Sequence, residues 1–368
     1  MAKRYSKRQL WFYINRALWI LCSWVLIYML FFFFEYFTLK SYGALTSNYD
    51  FYYERSFRLI IAVSSGLIGG FFTINLMDYW LRKYAFWKAL VLIVITFLLV
   101  AIVVSGLAAY YYFDQNYIEI PDRVERQNRA LQFLTQWRFL KELIIWLFIV
   151  IGTLVALMVN DKYGPGVFKD YLLGRYFQPK TERRIFMFAD IKSATSIAET
   201  IGEQQYFNFL KQFFNDIAPA IIQTKGEVYQ YVGDEVVLTW KMKHGLKNGN
   251  AIQCFYTMKA LLERKKEKYL AEFGAFPEFK IGLHCGSVTV GELGKIKRDI
   301  AFSGDVLNTT ARIQSKCNEK GVDNLASTTF ANLQFKLPKH IVVDEIGAEQ
   351  LKGKSGSVGL VTFSLAEA

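Results

Sequence analysis

Four apolar stretches crowd the first half of this chain, at about residues 17–34, 57–77, 89–112 and 139–159. Each is close to the ~20 residues that a helix needs to cross the ~30 Å hydrocarbon core of a bilayer. No comparable stretch follows. The chain is therefore expected to divide between two solvents: a membrane domain over residues 1–159, a connector over 160–182, and a water-exposed domain over 183–368. The whole is 368 residues, 53% hydrophobic and 17% aromatic, too apolar for one ordinary soluble domain.

The flanks of these stretches predict their orientation. Lys3, Arg4, Lys7, Arg8 and Arg16 precede the first, without a small-residue cleavage site after it, which predicts an uncleaved anchor. Four spans put both ends on one side. The basic N-terminus and Arg82, Lys83 and Lys88 predict that this side is the cytoplasm, in a plasma or inner cell membrane. The loop at 35–56 is nearly balanced, and that at 113–138 mixes Arg123, Arg126, Arg129 and Arg138 with acids. Because no charge lies near the middle of a span, an anchor or sensor is favoured over a transporter. Gly66 and Gly70 form a small-xxx-small pattern, readable either as a contact within the bundle or as a dimer contact. The net charge of +12 fits basic membrane flanks better than nucleic-acid binding. Cys22, Cys254, Cys285 and Cys317 have no metal-like spacing and read as reduced, packed thiols. In the connector, Gly164, Pro165, Gly166, Gly174 and Pro179 stop the last helix, with a helical turn expected near 167–173.

The second half alternates strand and helix patterns. An apolar run at 185–189 delivers Asp190 at its end, and another at 228–232 delivers Gly233-Asp234 at a tight turn before 236–240. Helices are expected at 195–201, 203–222, 250–270 and 306–317, and strands at 279–285, 287–291, 299–302, 341–346 and 358–363. A Gly-Asp turn alone is ordinary turn chemistry, and Asp190 alone could start a helix whose Ser196 and Glu199 have capping-box spacing. Together, two carboxylates at neighbouring strand ends are what a Mg²⁺-dependent phosphoryl site needs, since that ion takes hard oxygen ligands beside phosphate. Lys192, Ser193, Ala194 and Thr195 follow Asp190 at a helix start, where backbone N–H groups receive phosphate oxygens.

Five ordered words then resemble the class III nucleotidyl cyclases: Phe188-Ala189-Asp190-Ile191; Ala198-Glu199 with Gly202; Tyr231-Val232-Gly233-Asp234-Glu235; Gly282-Leu283-His284-Cys285-Gly286; and Gly304-Asp305-Val306-Leu307-Asn308 with Ala311-Arg312. They cover roughly residues 181–366. The resemblance implies an α+β domain with the ferredoxin-like palm, appended here to a four-helix transmembrane domain. It implies two Mg²⁺ or Mn²⁺ ions on Asp190, Asp234 and the carbonyl of Ile191. Asn308 and Arg312, four apart on one helix face, match the groups that orient the ribose and stabilise the pentavalent phosphorus. Lys352 matches a phosphate-binding lysine, with Lys354 as runner-up, and Lys280 falls where relatives carry a phosphate-facing arginine. His284 reads as a packed core histidine. The family builds each site between two chains, so one chain with both halves implies a homodimer.

The pattern departs at base recognition. Adenylate-specific members carry Lys and Asp or Thr where this chain has Gln230 and Ala301, with Asp299 as a substitute if the register differs. The expected reaction is conversion of ATP to 3′,5′-cyclic AMP and pyrophosphate. GTP, a pyrimidine triphosphate, or a catalytically silent nucleotide-binding receptor are the alternatives.

Overall fold

The computed structural model describes residues 7–45, 49–116, 128, 132, 136–163, 173–296, 299–333, 337–338, 340–354 and 356–366. They fall into two compact units, Leu10–Lys162 and Tyr163–Ala368, the latter grouped with Met1–Gln9. Outside the described residues lie Lys3, Arg4, Thr46 to Asn48, most of the predicted loop at 113–138, and Gly164, Pro165, Gly166 with most of the predicted turn after them.

The first unit is built on four long helices: α1 (Lys7–Ser41), α2 (Phe51–Lys83), α3 (Phe86–Asn116) and α4 (Trp137–Tyr163). Among the described residues, two stretches are long and apolar enough to cross a membrane, Tyr13–Ser41 and Phe139–Asn160, and Trp87–Val103 is a shorter apolar one. α2 carries Arg55 and Arg58 in its first turns, and its side chains over 71–83 are outside the described set. Ile20, Trp24 and Tyr28 of α1 pack with Ala62, Ile93, Ile149, Val150 and Leu154 as the core of this unit. Trp24 Nε1 donates to Thr153 Oγ1 at 2.8 Å. At one end, the buried guanidinium of Arg58 bridges Glu35 at 3.1 Å and Glu142 at 3.2 Å, and Tyr28 donates to Glu142 at 2.9 Å. A charge is tolerated there because it is paired on several sides. The glycine stripe of α2 lies against α1: a Cβ at Gly66 would come within 2.6 Å of Leu21, and one at Gly69 within 2.4 Å of the Trp24 ring. Of the two readings of this stripe, the structure shows the contact within the chain. Cys254, Cys285 and Cys317 are buried as expected, whereas Cys22 is exposed on α1.

In the second unit, β1 (Lys180–Ile191) leads through α5 (Ala194–Ile201) and α6 (Glu203–Gln223) to the hairpin β2 (Glu227–Val232) and β3 (Glu235–Lys241). Helices α7 (Asn250–Glu263) and α8 (Lys266–Phe273) precede β4 (Phe279–Leu293) and β5 (Asp299–Ser303). The unit closes with α9 (Asp305–Ser315), β6 (Asn324–Ser327), β7 (Ile341–Gln350) and β8 (Ser357–Leu365). The sheet order is β2-β3-β1-β4-β6-β8-β7, with β5 on β4. Its first part, βαββαβ in the spatial order 2-3-1-4, is the ferredoxin-like arrangement expected. All pairs are antiparallel except β4 with β6.

β1 is the central strand, and its apolar run is continuous because both its faces are covered. Ile185, Met187 and Ala189 join Phe209, Phe213 and Ile217 of α6 and Phe255 and Met258 of α7. Phe186 and Phe188 join Val237, Val288 and Val306 on the other face. Strand alternation thus leaves Asp190 on the face that α9 covers.

Two element expectations change. The helix predicted over 250–270 breaks at Arg264-Lys265 into α7 and α8. The two strands predicted around Gly286 are one, because Gly286 marks close approach of another element: a Cβ there would lie 3.3 Å from Val306. Gly282 is tighter still, with a Cβ placed 2.5 Å from the Gln314 backbone N and 2.7 Å from its Cα.

That contact generates a prediction. Backbone cannot yield as a side-chain tip can, so Gly282→Ala should push α9 off β4 and cost about 1–3 kcal/mol. The denaturant midpoint of the full-length chain should fall. Gly356→Ala, which meets nothing within 4 Å, serves as the comparison and should leave it unchanged. Equal midpoints for the two variants would contradict this packing.

Candidate active site

Three neighbouring strands set the site by register. Asp190 on β1 lies opposite Glu235 on β3 and Lys280 on β4, so the three side chains form one row across the sheet. Asp234 precedes Glu235 in a turn whose Gly233 has φ +61°, a left-handed conformation that favours glycine. The two predicted aspartates do come together, because Asp190 lies opposite Glu235, the residue that follows Asp234. Burial and the neighbouring carboxyl group of Asp190 push Asp234 up to about 6. Glu235 is pushed up to about 7 by burial and then by the two aspartates. Since an acid with a raised pKa resists ionisation in the fold, these groups oppose folding increasingly as pH rises from their ordinary values of 3.8 and 4.5 toward about 6 and 7, and no further above that.

Asp190 is held on two sides. Gln314 Nε2 of α9 donates to its Oδ2 at 3.0 Å, and Lys280 Nζ lies 3.5 Å from the same oxygen. Lys280 also donates to Asn318 at 3.3 Å and is nearly buried. It thus reaches the carboxylate of Asp190 from the position where relatives carry a phosphate-facing arginine. Lys192 departs from expectation, since its N–H donates to the carbonyl of Glu278 at 2.8 Å and its ammonium pairs with Asp323. The amide expected for phosphate at Lys192 is therefore in use, which leaves Ser193, at φ 54°, and the start of α5 at Ala194 and Thr195. A helix start presents N–H groups without intrahelical partners.

Asn308 and Arg312 lie on α9 as predicted. The buried face of that helix carries Val306, Thr309, Thr310, Ile313 and Gln314. At 100° per residue, Asn308 and Arg312 point about 120–160° away from Gln314, the residue that touches Asp190. In one chain the carboxylates and the Asn/Arg pair therefore face apart. Arg312 rests in the turn after β7, where a Cβ at Gly353 would come within 3.2 Å of its Nη2. Exposed Lys352 shares that turn, whereas Lys354, the runner-up, is paired with Asp305. His284 is packed as expected: Nδ1 lies 2.7 Å from Ser327 Oγ, and burial pulls it down to about 4.

Gln230 on β2 is exposed and Ala301 on β5 is half-buried. Sequence reasoning missed Glu235 and Gln314. Glu235 was signalled only by its place next to Asp234 at a strand start. Gln314 was signalled by Gly282, whose missing side chain makes room for it. Tyr206 of α6 was also missed. It is pushed up to about 12 by burial and then by the negative charges of Asp234 and Asp190.

Among the described residues, no three His, Cys, Asp or Glu side chains are grouped to hold a metal ion by themselves. Two hard carboxylates with surplus negative charge, reinforced by Glu235 and opposed by Lys280, still fit a divalent cation that shares its ligands with a phosphate.

The family described as "Adenylate and Guanylate cyclase catalytic domain" matches residues 178–366. The chain is 27% identical over 209 residues to "Adenylate cyclase 2" of Rhizobium meliloti (strain 1021), covering 57% of each chain. It is 26% identical to "Adenylate cyclase" of Anabaena cylindrica over 49% of this chain and 36% of that one. It therefore spans little more than half, or less, of these relatives' lengths. A bacterial light-regulated adenylyl cyclase of known structure shares the fold, with a TM-score of 0.52 at 19% identity over 65% of this chain and 70% of that one. Over residues 178–366, with its carboxylate-bearing strands and Asn/Arg helix in the order described above, this chain belongs to the adenylate and guanylate cyclase catalytic-domain family.

Proposed function

We propose that this chain is a membrane-anchored adenylate cyclase that converts ATP to 3′,5′-cyclic AMP and pyrophosphate as a homodimer. The neighbouring carboxyl groups of Asp190 and Asp234, set side by side by the register of β1 and β3, carry this reading, because such a pair is relieved by a cation or a proton. Both curated relatives named above are adenylate cyclases, which favours ATP over GTP.

Two divalent ions, Mg²⁺ or Mn²⁺, would be held by Asp190, Asp234 and the carbonyl of Ile191. When bound, they would make the ribose 3′-hydroxyl more acidic and neutralise the triphosphate. The chain's own groups do the rest. N–H groups at the start of α5 receive phosphate oxygens. Lys352 and Arg312, together on one turn, offer positive charge to the α-phosphate as the 3′-oxygen bonds to it and pyrophosphate leaves. Asn308 orients the ribose. Lys280 and Gln314 fix the direction of Asp190.

Asn308 and Arg312 face away from their own chain's carboxylates, and a second copy in the opposite sense supplies the missing half of each site. For the first unit, the four-span topology with both ends in the cytoplasm is retained. Its outward surface is apolar, with Trp19, Leu26, Leu30, Phe34, Ile60, Leu67 and Phe148 all exposed, as suits a bundle whose solvent is lipid. The domain division at 1–159, 160–182 and 183–368 is part of the same reading.

Two experiments test it. Purified full-length chain supplied with Mn²⁺ and each of the four ribonucleoside triphosphates should yield cyclic AMP as the main product. No cyclic product from any of them would make it a silent nucleotide-binding receptor, and a different cyclic product would correct the base. Asp234→Ala and Arg312→Ala should each lower kcat by about 10²–10³-fold. Mixed in equal amounts, they should recover roughly a quarter of wild-type activity, because half the dimers are mixed and each of those has one complete site. Absence of recovery although mixed dimers form would refute the shared site.

A further inference from the structure

β2 contains a bulge beside the base-recognition position. Val228 pairs with Leu238, and Gln230 pairs with the very next residue, Val237, leaving Tyr229 as the extra residue of the strand. A bulge re-aims the side chains that follow it. Here it puts Gln230 opposite Val237, on the face that carries Phe188 and Asp190, although Tyr229 already packs on that face. Strict alternation would have turned one of the two away.

The bulged residue is anchored at a distance. The hydroxyl of Tyr229 accepts the N–H of Phe302 at 3.3 Å, and the two rings meet edge to face at 4.9 Å. β2 and β5 are not paired strands, so this bridge crosses the face of β3 and β1, over Phe186, whose ring is 5.6 Å from that of Phe302. Arg184 of β1 clamps it. Its buried guanidinium lies 4.9 Å from the Phe302 ring and donates to Glu227 on β2 at 2.6 Å and to Glu182 at 3.1 Å. Phe302 is adjacent to Ala301 and Tyr229 to Gln230, so the bridge joins the strands of both base-recognition positions.

Neither position discriminates by its own chemistry. A Gln amide rotates to offer donor and acceptor in either order, so it can meet adenine's amino group and ring nitrogen or guanine's carbonyl and ring N–H. Ala301 offers no hydrogen bond. Selection must then come from where the amide of Gln230 is held. We propose that Tyr229, Phe302 and Arg184 form a positioning element for purine selection, in which the anchored bulge fixes Gln230 relative to Ala301. This rests on the reading of those two positions as base-facing in a nucleotide site.

The test compares kcat/KM for ATP and for GTP in the full-length chain with Mn²⁺. Tyr229→Phe keeps the ring and removes only the hydroxyl that accepts from Phe302. It should change the ATP:GTP ratio by ~3–10-fold, through KM more than kcat. Arg184→Gln should change it in the same direction. Tyr256→Phe is the comparison: it removes a hydroxyl that donates to the Phe363 carbonyl at 2.7 Å, away from this face, and should leave the ratio unchanged. A ratio unaltered in Tyr229→Phe, or altered equally in Tyr256→Phe, overturns the proposal. Displacement of a fluorescent nucleotide by ATP and by GTP yields the same ratio from Kd. A chain that binds both without turnover thus loses the enzymatic reading and leaves this one to be decided by Kd. A chain that binds neither overturns both.

Discussion

Two neighbouring carboxyl groups are an unfavourable thing to build, and the second unit is arranged to hold such a pair. The register of β1 between β3 and β4 forces it, because Asp190 cannot leave the row it shares with Glu235 and Lys280 without moving a strand buried on both faces. Gln314 and Lys280 fix one oxygen of Asp190, which leaves the carboxylate rigid and aimed. Gln314 reaches it only because Gly282 lets α9 settle directly on the sheet. Strain at the site is therefore offset by packing beneath it, as expected where function overrides stability.

The same helix explains why one copy does not bring all the candidate residues together. α9 spends its inner face on the sheet and on Asp190, and it presents Asn308 and Arg312 outward. Arg312 is nevertheless not loose, because the Gly353 turn passes close to its guanidinium and carries Lys352 alongside. In the proposed homodimer, the cationic edge of one copy would meet the anionic edge of the other.

Much of this was legible in the sequence, and the exceptions share a cause. Apolar runs ending in Asp190 and Gly233-Asp234 announced strands and a turn because local pattern determines them. The spacing of Asn308 and Arg312 announced a helix face for the same reason. Contacts made across the sheet were not legible. Nothing in the neighbourhood of Lys280 reveals that register puts it opposite Asp190. The N–H of Lys192 was read as available because its acceptor, Glu278, lies far along the chain. Gly286 looked like a strand end, since a glycine that admits another helix is indistinguishable in sequence from one that makes a turn. The stripe at Gly66 and Gly70 left two partners open until contacts with Leu21 and Ile20 of the same chain showed one.

The central claim is that the fold forces negative charge together at Asp190 and Asp234, and thermal unfolding of Asp234→Asn in the full-length chain tests it most directly. Asp234 is raised to about 6 from 3.8, so its ionised form disfavours the fold at neutral pH and its protonated form does not. In a chelator at pH 7.5 the variant should unfold at higher temperature than wild type. About 1 kcal/mol of stabilisation is expected, after discounting a shift worth about 3 kcal/mol for a half-exposed group. The difference should shrink at pH 5, and Mn²⁺ should raise the midpoint of wild type more than that of the variant. A variant less stable than wild type at pH 7.5, or an equal difference at both pH values, would contradict the account.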